Sequence, residues 1–145
     1  MITVGVIPWA HVWPNAKPLF YSPEVGAPLD YVSVHFYPKK GEVQKALDAL
    51  RVYEVGKPVV IEEMFPLACS GEELLQFIDR SRSHADGWVS FYWGDTVEEC
   101  QARGDIAGAL TAGWLKQFRA NSPVAAQGAP ATAPANQPRQ DTDNR

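Results

Sequence analysis

The stretch KPVVIEEM, residues 57–64, decides the fold class of this chain. Its centre, residues 59–61, is apolar and β-branched, and Pro58 marks where it begins, which is the composition of a buried strand. Two carboxylates, Glu62 and Glu63, follow the apolar run directly. The stretch therefore predicts a buried strand with acidic groups at its carboxyl end.

Three more segments have the same apolar, β-branched or aromatic character, and each is bounded by Gly, Pro or Asp. They cover residues 3–7, 31–37 and 88–93, and corresponding positions of successive strands lie 27 to 30 residues apart. A spacing of this length leaves room for one helix between each strand and the next. The chain is thus predicted to repeat a strand–helix unit.

Helical patterns fill most of these intervals. Apolar residues recur at helical spacing over residues 43–53 and again over residues 106–118, and Ser70 with Glu73 forms a capping box ahead of a further helix. The first connection, residues 11–29, contains four prolines and predicts only a short helix. Strands that alternate with helices predict parallel strands with right-handed crossovers, and hence an α/β fold.

The period and the length select between two α/β architectures. A full (β/α)8 barrel has about 250 residues, or roughly 30 per unit, so four units of this length match half of a barrel. We therefore expect a partial (β/α)8 TIM barrel of about four βα units over residues 1–120, with an open four-stranded sheet as the alternative. Residues 121–145 are rich in Ala, Pro and Gln and have no apolar face, which predicts a disordered tail.

The composition excludes several classes of function. The 145 residues carry a net charge of −4 and no basic run longer than Lys39-Lys40, so nucleic acid is not expected as a partner. No apolar stretch approaches the roughly 18 to 20 residues of a membrane span, so no membrane association is expected. Cys69 and Cys100 lack metal-site spacing, so no metal is expected, and two free thiols are favoured over a disulfide between them.

The predicted strand ends carry unusual polar and aromatic side chains. They are Trp9, His11 and Trp13 after the first strand, His35 and Tyr37 after the second, Glu62 and Glu63 after the third, and Tyr92, Trp93 and Asp95 after the fourth. Reactive groups of parallel α/β folds collect at the carboxyl ends of strands. Carboxylates ringed by aromatic side chains suit glycoside hydrolysis, because sugars stack on flat rings and a carboxylate stabilises or attacks the oxocarbenium-like centre.

Alternation along each strand predicts which side chains face this site. In the second strand, His35 and Tyr37 share the polar face, away from the helices. In the third strand, Glu63 is expected in the site, whereas Glu62 is expected on the opposite face, paired with a helix residue. In the fourth strand, alternation alone does not decide which aromatic side chain faces inward.

Three motifs, taken together, resemble a known family. DYVSVHFYP at residues 30–38, KPVVIEEM at residues 57–64 and GWVSFYWG at residues 87–94 look like the sixth, seventh and eighth strand motifs of cellulase-like barrels, glycoside hydrolase family 5 and its relatives. The resemblance spans about residues 2–93. It implies the carboxyl-terminal half of a TIM barrel, beginning at the fifth strand.

The resemblance implies roles for individual residues. Glu63 falls on the catalytic nucleophile at the end of the seventh strand. His35 and Tyr37 fall on the His-x-Tyr pair of the sixth strand, and Trp93 falls on the ring that floors the subsite of the cleaved sugar. Trp9, in the loop after the first strand, is a further candidate for lining a substrate subsite.

Two features depart from the family pattern. Phe65-Pro66 follows Met64 where family members often have Phe-Gly after the nucleophile. The Asn-Glu pair that ends the fourth strand of these barrels and holds the acid/base has no counterpart in this chain. We therefore expect the isolated chain to be inactive without an N-terminal half.

The resemblance implies a retaining glycoside hydrolase that acts on β-linked glucan or mannan, without a metal or organic cofactor. Its partner is an oligo- or polysaccharide, and exposed sheet edges predict self-association or pairing with the missing half. The family implies a secreted or periplasmic location, although the chain shows no signal peptide. The alternatives are a non-catalytic carbohydrate-binding or vestigial half-barrel, and a complete four-stranded α/β domain with an unrelated role.

Overall fold

The computed structural model of the protein describes residues 1–6 and 22–122. Its elements in chain order are β1 (Gly5–Val6), α1 (Pro23–Gly26), β2 (Val32–His35), α2 (Val43–Leu50), β3 (Val59–Met64), α3 (Gly71–Arg80), β4 (Gly87–Ser90), α4 (Val97–Arg103) and α5 (Ile106–Ala120). Short 3₁₀ turns follow α2 and α3, at Arg51–Tyr53 and Ser81–Ser83.

All four strands run parallel, and they lie in the sheet in the order β1-β2-β3-β4. The order in space is the order in the chain, so each connection moves one position in the same direction. The predicted α/β fold with parallel strands at these four places is confirmed. Crossover connections between parallel strands are right-handed. Since every connection here also moves in the same direction across the sheet, the connecting helices are expected on one face of the sheet.

Packing against α2, α3 and α5 covers one face of the sheet. Phe36, directly after β2, is fully buried, and its ring stacks on Phe77 of α3 with 5.8 Å between centroids and meets the edge of Tyr53 at 6.1 Å. From α5, the indole N–H of Trp114 donates to the hydroxyl of Ser90 at 2.8 Å. The strands contribute Val32, Val34, Val59, Ile61 and Met64 to this core.

The opposite face is open within the described part of the chain. Along β4 and its continuation, Val89 is 49% exposed, Phe91 56% and Trp93 101%. At the two edges of the sheet, β1 and β4 each pair with one neighbouring strand. Apolar side chains therefore face solvent on the side of the sheet that none of the described helices covers.

Capping residues define where two of the helices begin. Ser70 accepts a hydrogen bond from the Glu73 N–H at 3.1 Å, and the Glu73 carboxylate accepts from the Ser70 N–H at 3.0 Å, so the predicted capping box of α3 is confirmed. Thr96 and Glu99 form the same reciprocal pair at the start of α4. Gly104 ends α4 at a φ of 68°, a conformation that glycine adopts without steric cost.

β1 begins two residues later than predicted and β4 ends three residues earlier, whereas residue 7, the predicted end of β1, lies outside the described residues. Ahead of β1, the Asp30 N–H donates to the Ile2 carbonyl at 2.9 Å and the Thr3 hydroxyl donates to the Tyr31 carbonyl at 2.7 Å. After β4, the Tyr92 N–H bonds to the Ser90 carbonyl at 3.0 Å, which turns the chain and ends the strand. The turn at Ser90 thus limits β4, while the chain ahead of β1 stays bonded to the segment before β2.

Three further expectations from the sequence concern the tail after the last helix, the state of the two cysteines and membrane-spanning segments. α5 ends at Ala120, and the predicted tail beyond residue 122 lies outside the described residues. Cys69 and Cys100 are free thiols, as favoured. Among the residues that the structure describes, none of the helices combines the length and apolar character that a membrane crossing requires.

Candidate active site

The position of Glu63 is set by an irregularity in β3. Val34 of β2 pairs with Ile61, but the next residue, His35, pairs with Glu63, so β3 has one extra residue at this point. The pairing of β3 with β4 slips in the same place, between Ile61 and Met64. This is a β-bulge, which redirects side chains relative to simple alternation.

The Glu63 carboxylate is held through both of its oxygens. The Tyr37 hydroxyl donates to Oε1 at 2.5 Å, and His35 Nδ1 lies 3.3 Å from Oε2. The side chains of His35 and Glu63 are 27% and 22% exposed, so the group is largely but not wholly shielded from water. The structure thus brings together three of the five predicted site residues, at the carboxyl ends of the adjacent strands β2 and β3.

The phenol of Tyr37 is a dedicated donor to this carboxylate. Burial of the hydroxyl, its hydrogen bond to Glu63 and the negative charge of Glu63 all raise the pKa of Tyr37 well above its ordinary value of about 10. The phenol therefore stays protonated throughout the neutral and moderately alkaline range. A donor that does not ionise keeps the Glu63 carboxylate in one orientation.

The raised pKa gives a direct expectation for the Tyr37→Phe variant. In the folded protein, the tyrosinate absorbance that develops near pH 10 should be the same with and without this substitution, because Tyr37 does not ionise there. In denaturant, where all five tyrosines ionise, the substitution should lower the tyrosinate absorbance near pH 10 by the share of one tyrosine. Loss of one tyrosine's absorbance near pH 10 in the folded state would show that the Tyr37–Glu63 hydrogen bond is not formed.

The same shift has a consequence for stability. The pKa of Tyr37 is higher in the folded protein than in the unfolded chain. The protonated phenol therefore contributes its full stabilisation below about pH 10, and this contribution falls as the pH rises towards the pKa of the folded state. The Tyr37→Phe variant should therefore lose less stability than the unaltered protein between about pH 10 and pH 12.

Tyr92 and Trp93, which follow β4, differ in their contacts. The Tyr92 ring stacks on Phe65 at 6.0 Å between centroids, and its hydroxyl lies 3.5 Å from Cys100 Sγ, so Tyr92 belongs to the helical side. Trp93 is fully exposed, and no described residue packs against it. Its place in a sugar subsite stays a prediction.

Trp9, with His11 and Trp13, lies outside the described residues, so its place in the site stays a prediction. Asp95, also singled out in the sequence, forms an ion pair with Arg103, the last residue of α4.

The expected orientation of Glu62 is wrong. Both Ile61 and Met64 are fully buried on the helical side, and strict alternation cannot put two residues three positions apart on one face. The bulge between them leaves Glu62 on the side of the sheet where β1 presents Gly5, with Glu62 Oε2 only 3.2 Å from the position of a Cβ at that glycine. The sequence contained a signal for this bulge. Ile61 and Met64, the apolar residues on either side of the two acids, lie three positions apart, whereas residues on one face of an unbroken strand lie two or four apart.

The arrangement defines a class of site on this parallel α/β sheet: a carboxylate fixed by a phenol and an imidazole, and partly exposed within the described part of the chain. Such a carboxylate can attack, or electrostatically stabilise, an electron-poor carbon. No cluster of three or more His, Cys, Asp or Glu side chains in the described ranges is arranged to hold a metal ion. Comparison of the chain with protein-family models, curated proteins and solved structures finds no match.

Proposed function

We propose that this chain is the nucleophile-bearing half of a retaining glycoside hydrolase that acts on β-linked glucan or mannan. The observation that carries the proposal is the Glu63 carboxylate, which Tyr37 holds through one oxygen and His35 through the other. A carboxylate with this support is held in one orientation, as a nucleophile requires. The resemblance of the strand motifs to cellulase-like barrels supplies the reaction class.

The reaction divides between this chain and a second carboxyl group. Glu63 attacks the anomeric carbon and forms a glycosyl-enzyme, while the second group, about 5 Å away in retaining enzymes, protonates the leaving oxygen. The same group then activates the water that releases the sugar. We assign that acid/base to four further βα units, because no residue described in this chain matches its position.

Two features of the fold support a half-barrel. The sheet order never reverses, whereas doubly wound sheets reverse direction at a switch point and carry helices on both faces. The side away from the helices carries Phe91, which is 56% exposed and which the remainder of a barrel would cover. We assign the fully exposed ring of Trp93 to the floor of the subsite of the cleaved sugar, as the resemblance implies.

The experiment that tests the proposal supplies the missing half. We expect that co-refolding the chain with the first four βα units of a related β-glucanase or β-mannanase, including its Asn-Glu strand end, gives hydrolysis that neither half gives alone. The first-formed product should keep the β configuration, as followed by NMR of the anomeric proton. A first-formed α-anomer would contradict the retaining mechanism, and association of the halves without turnover would favour a carbohydrate-binding half-barrel.

A further inference from the structure

Gly5 of β1 is in close contact with two side chains from the neighbouring strands. A Cβ placed on Gly5 would be 3.1 Å from His35 Nε2, 3.8 Å from His35 Cε1 and 3.2 Å from Glu62 Oε2. Non-bonded carbon atoms ordinarily lie about 3.5–4.0 Å apart, so the shortest of these distances mark tight packing. The His35 imidazole therefore lies directly against the backbone of β1.

The backbone of β1 does not itself require a glycine at residue 5. Gly5 does not have a positive φ, and it pairs with Ser33 of β2 without a register shift. A glycine weakens a strand and often marks a place where another group approaches the backbone closely. We attribute Gly5 to the neighbouring side chains, because alanine would fit the backbone but would collide with the ring of His35 where it now lies.

The same ring connects Gly5 with the candidate nucleophile. His35 Nδ1 is 3.3 Å from Glu63 Oε2, at the long end of hydrogen-bond distances, and Tyr37 donates to the other oxygen at 2.5 Å. Because an imidazole is rigid, moving its Nε2 edge by a few tenths of an ångström also moves Nδ1. Movement away from Glu63 would break the contact, and movement towards Glu63 would press the carboxylate against Tyr37.

We propose that Gly5 is a positioning residue for Glu63 and that it acts through His35. The missing side chain lets the imidazole lie at the depth in the sheet from which Nδ1 reaches the carboxylate. The consequence for hydrolysis rests on the proposed function, whereas the position of the ring does not. Since Gly5 affects the orientation of the nucleophile and not the binding of the sugar, a change at this residue should alter kcat and not KM.

The first test is NMR of the full chain, with the imidazole ¹⁵N resonances of His35 as readout. The Gly5→Ala substitution should shift both ring-nitrogen resonances of His35 and leave those of His84, which lies ahead of β4, in place. The matched control is Gly113→Ala, which adds a methyl group in α5 where nothing lies within 4 Å and should shift neither histidine.

Two NMR results would overturn the inference. Unchanged His35 resonances in Gly5→Ala would show that the ring does not rest against residue 5. Loss of the folded-state resonances of His84 as well as those of His35 would show that the methyl group acts on the fold as a whole and not on one ring. Neither result depends on turnover.

The second test is a double-mutant cycle in the barrel completed with the related half. Asn branches at Cγ as His does, so in His35→Asn an amide N–H replaces Nδ1, but the Cε1 and Nε2 atoms that contact Gly5 are absent. Gly5→Ala alone should lower kcat about tenfold and leave KM within about twofold. It should cause no further loss of kcat in the His35→Asn background, because the colliding atoms are gone.

The cycle separates the inference from the proposed function. An equal loss of kcat from Gly5→Ala in both backgrounds, a rise in KM alone, or no loss at all would each overturn the positioning role. Absence of turnover by every completed barrel, including the one with the unaltered chain, would contradict the proposed hydrolase. The NMR test would then still decide whether Gly5 sets the position of His35.

Discussion

Glu63→Gln is expected to abolish hydrolysis by the completed barrel, with a loss of roughly 10⁴-fold or more, on the scale found when a covalent nucleophile is removed. The amide cannot form the glycosyl-enzyme, because it has no charge with which to attack the anomeric carbon. Tyr37 and His35 would face the neutral amide in place of the carboxylate that they now bind. The measurement is kcat/KM on a soluble β-glucan or β-mannan.

The control for this prediction is Glu98→Gln, which makes the same chemical change on the exposed surface of α4. The completed barrel carrying this control should hydrolyse the glycan at an unchanged rate. Activity of Glu63→Gln within tenfold of that control would remove Glu63 from the reaction. The carbohydrate-binding alternative would then be favoured, since only an enzyme needs this carboxylate charge.

The second large effect concerns stability. Phe36→Ala is expected to lower the free energy of unfolding by about 3–5 kcal/mol, because a fully buried ring between Tyr53 and Phe77 is replaced by a cavity. Phe36 also lies between the two residues that hold Glu63. Urea unfolding followed by tryptophan fluorescence measures the change.

Phe91→Ala is the matched control, since this phenylalanine is 56% exposed on the open face of the sheet. Its removal should change the free energy of unfolding of the isolated chain by less than about 0.5 kcal/mol. Equal losses from both substitutions would mean that both faces of the sheet are packed. That outcome would contradict a sheet on which the described helices cover one side and leave Phe91 exposed on the other.

Much of the fold follows from local patterns in the sequence. The capping box at Ser70 and Glu73 marks the start of α3, and β-branched runs mark the strands. The meeting of Tyr37 with Glu63 was predictable, because parallel strands end at the same edge of a sheet and alternation puts His35 and Tyr37 on one face. These features depend on the residue pattern within a single helix or strand.

The remaining features depend on contacts between strands. Glu62 was assigned to the wrong face because alternation assumes an unbroken ladder, and the bulge in β3 arises from its pairing with β2 and β4. The choice between Tyr92 and Trp93 depends on a turn that follows Ser90. The close approach of His35 and Glu62 to the backbone of Gly5 also becomes visible only when the three strands lie side by side.

The most direct test of the assignment of Glu63 is covalent trapping with a fluorosugar that carries a dinitrophenolate leaving group. Such a leaving group departs without protonation, so the reaction needs the nucleophile but not the missing acid. Mass spectrometry of proteolytic peptides after incubation with the gluco- and manno-configured reagents locates the label. We expect one glycosyl group on Glu63, and none in the Glu63→Gln variant. A label on Glu62 instead, or none on either the isolated chain or the completed barrel, would contradict Glu63 as the nucleophile.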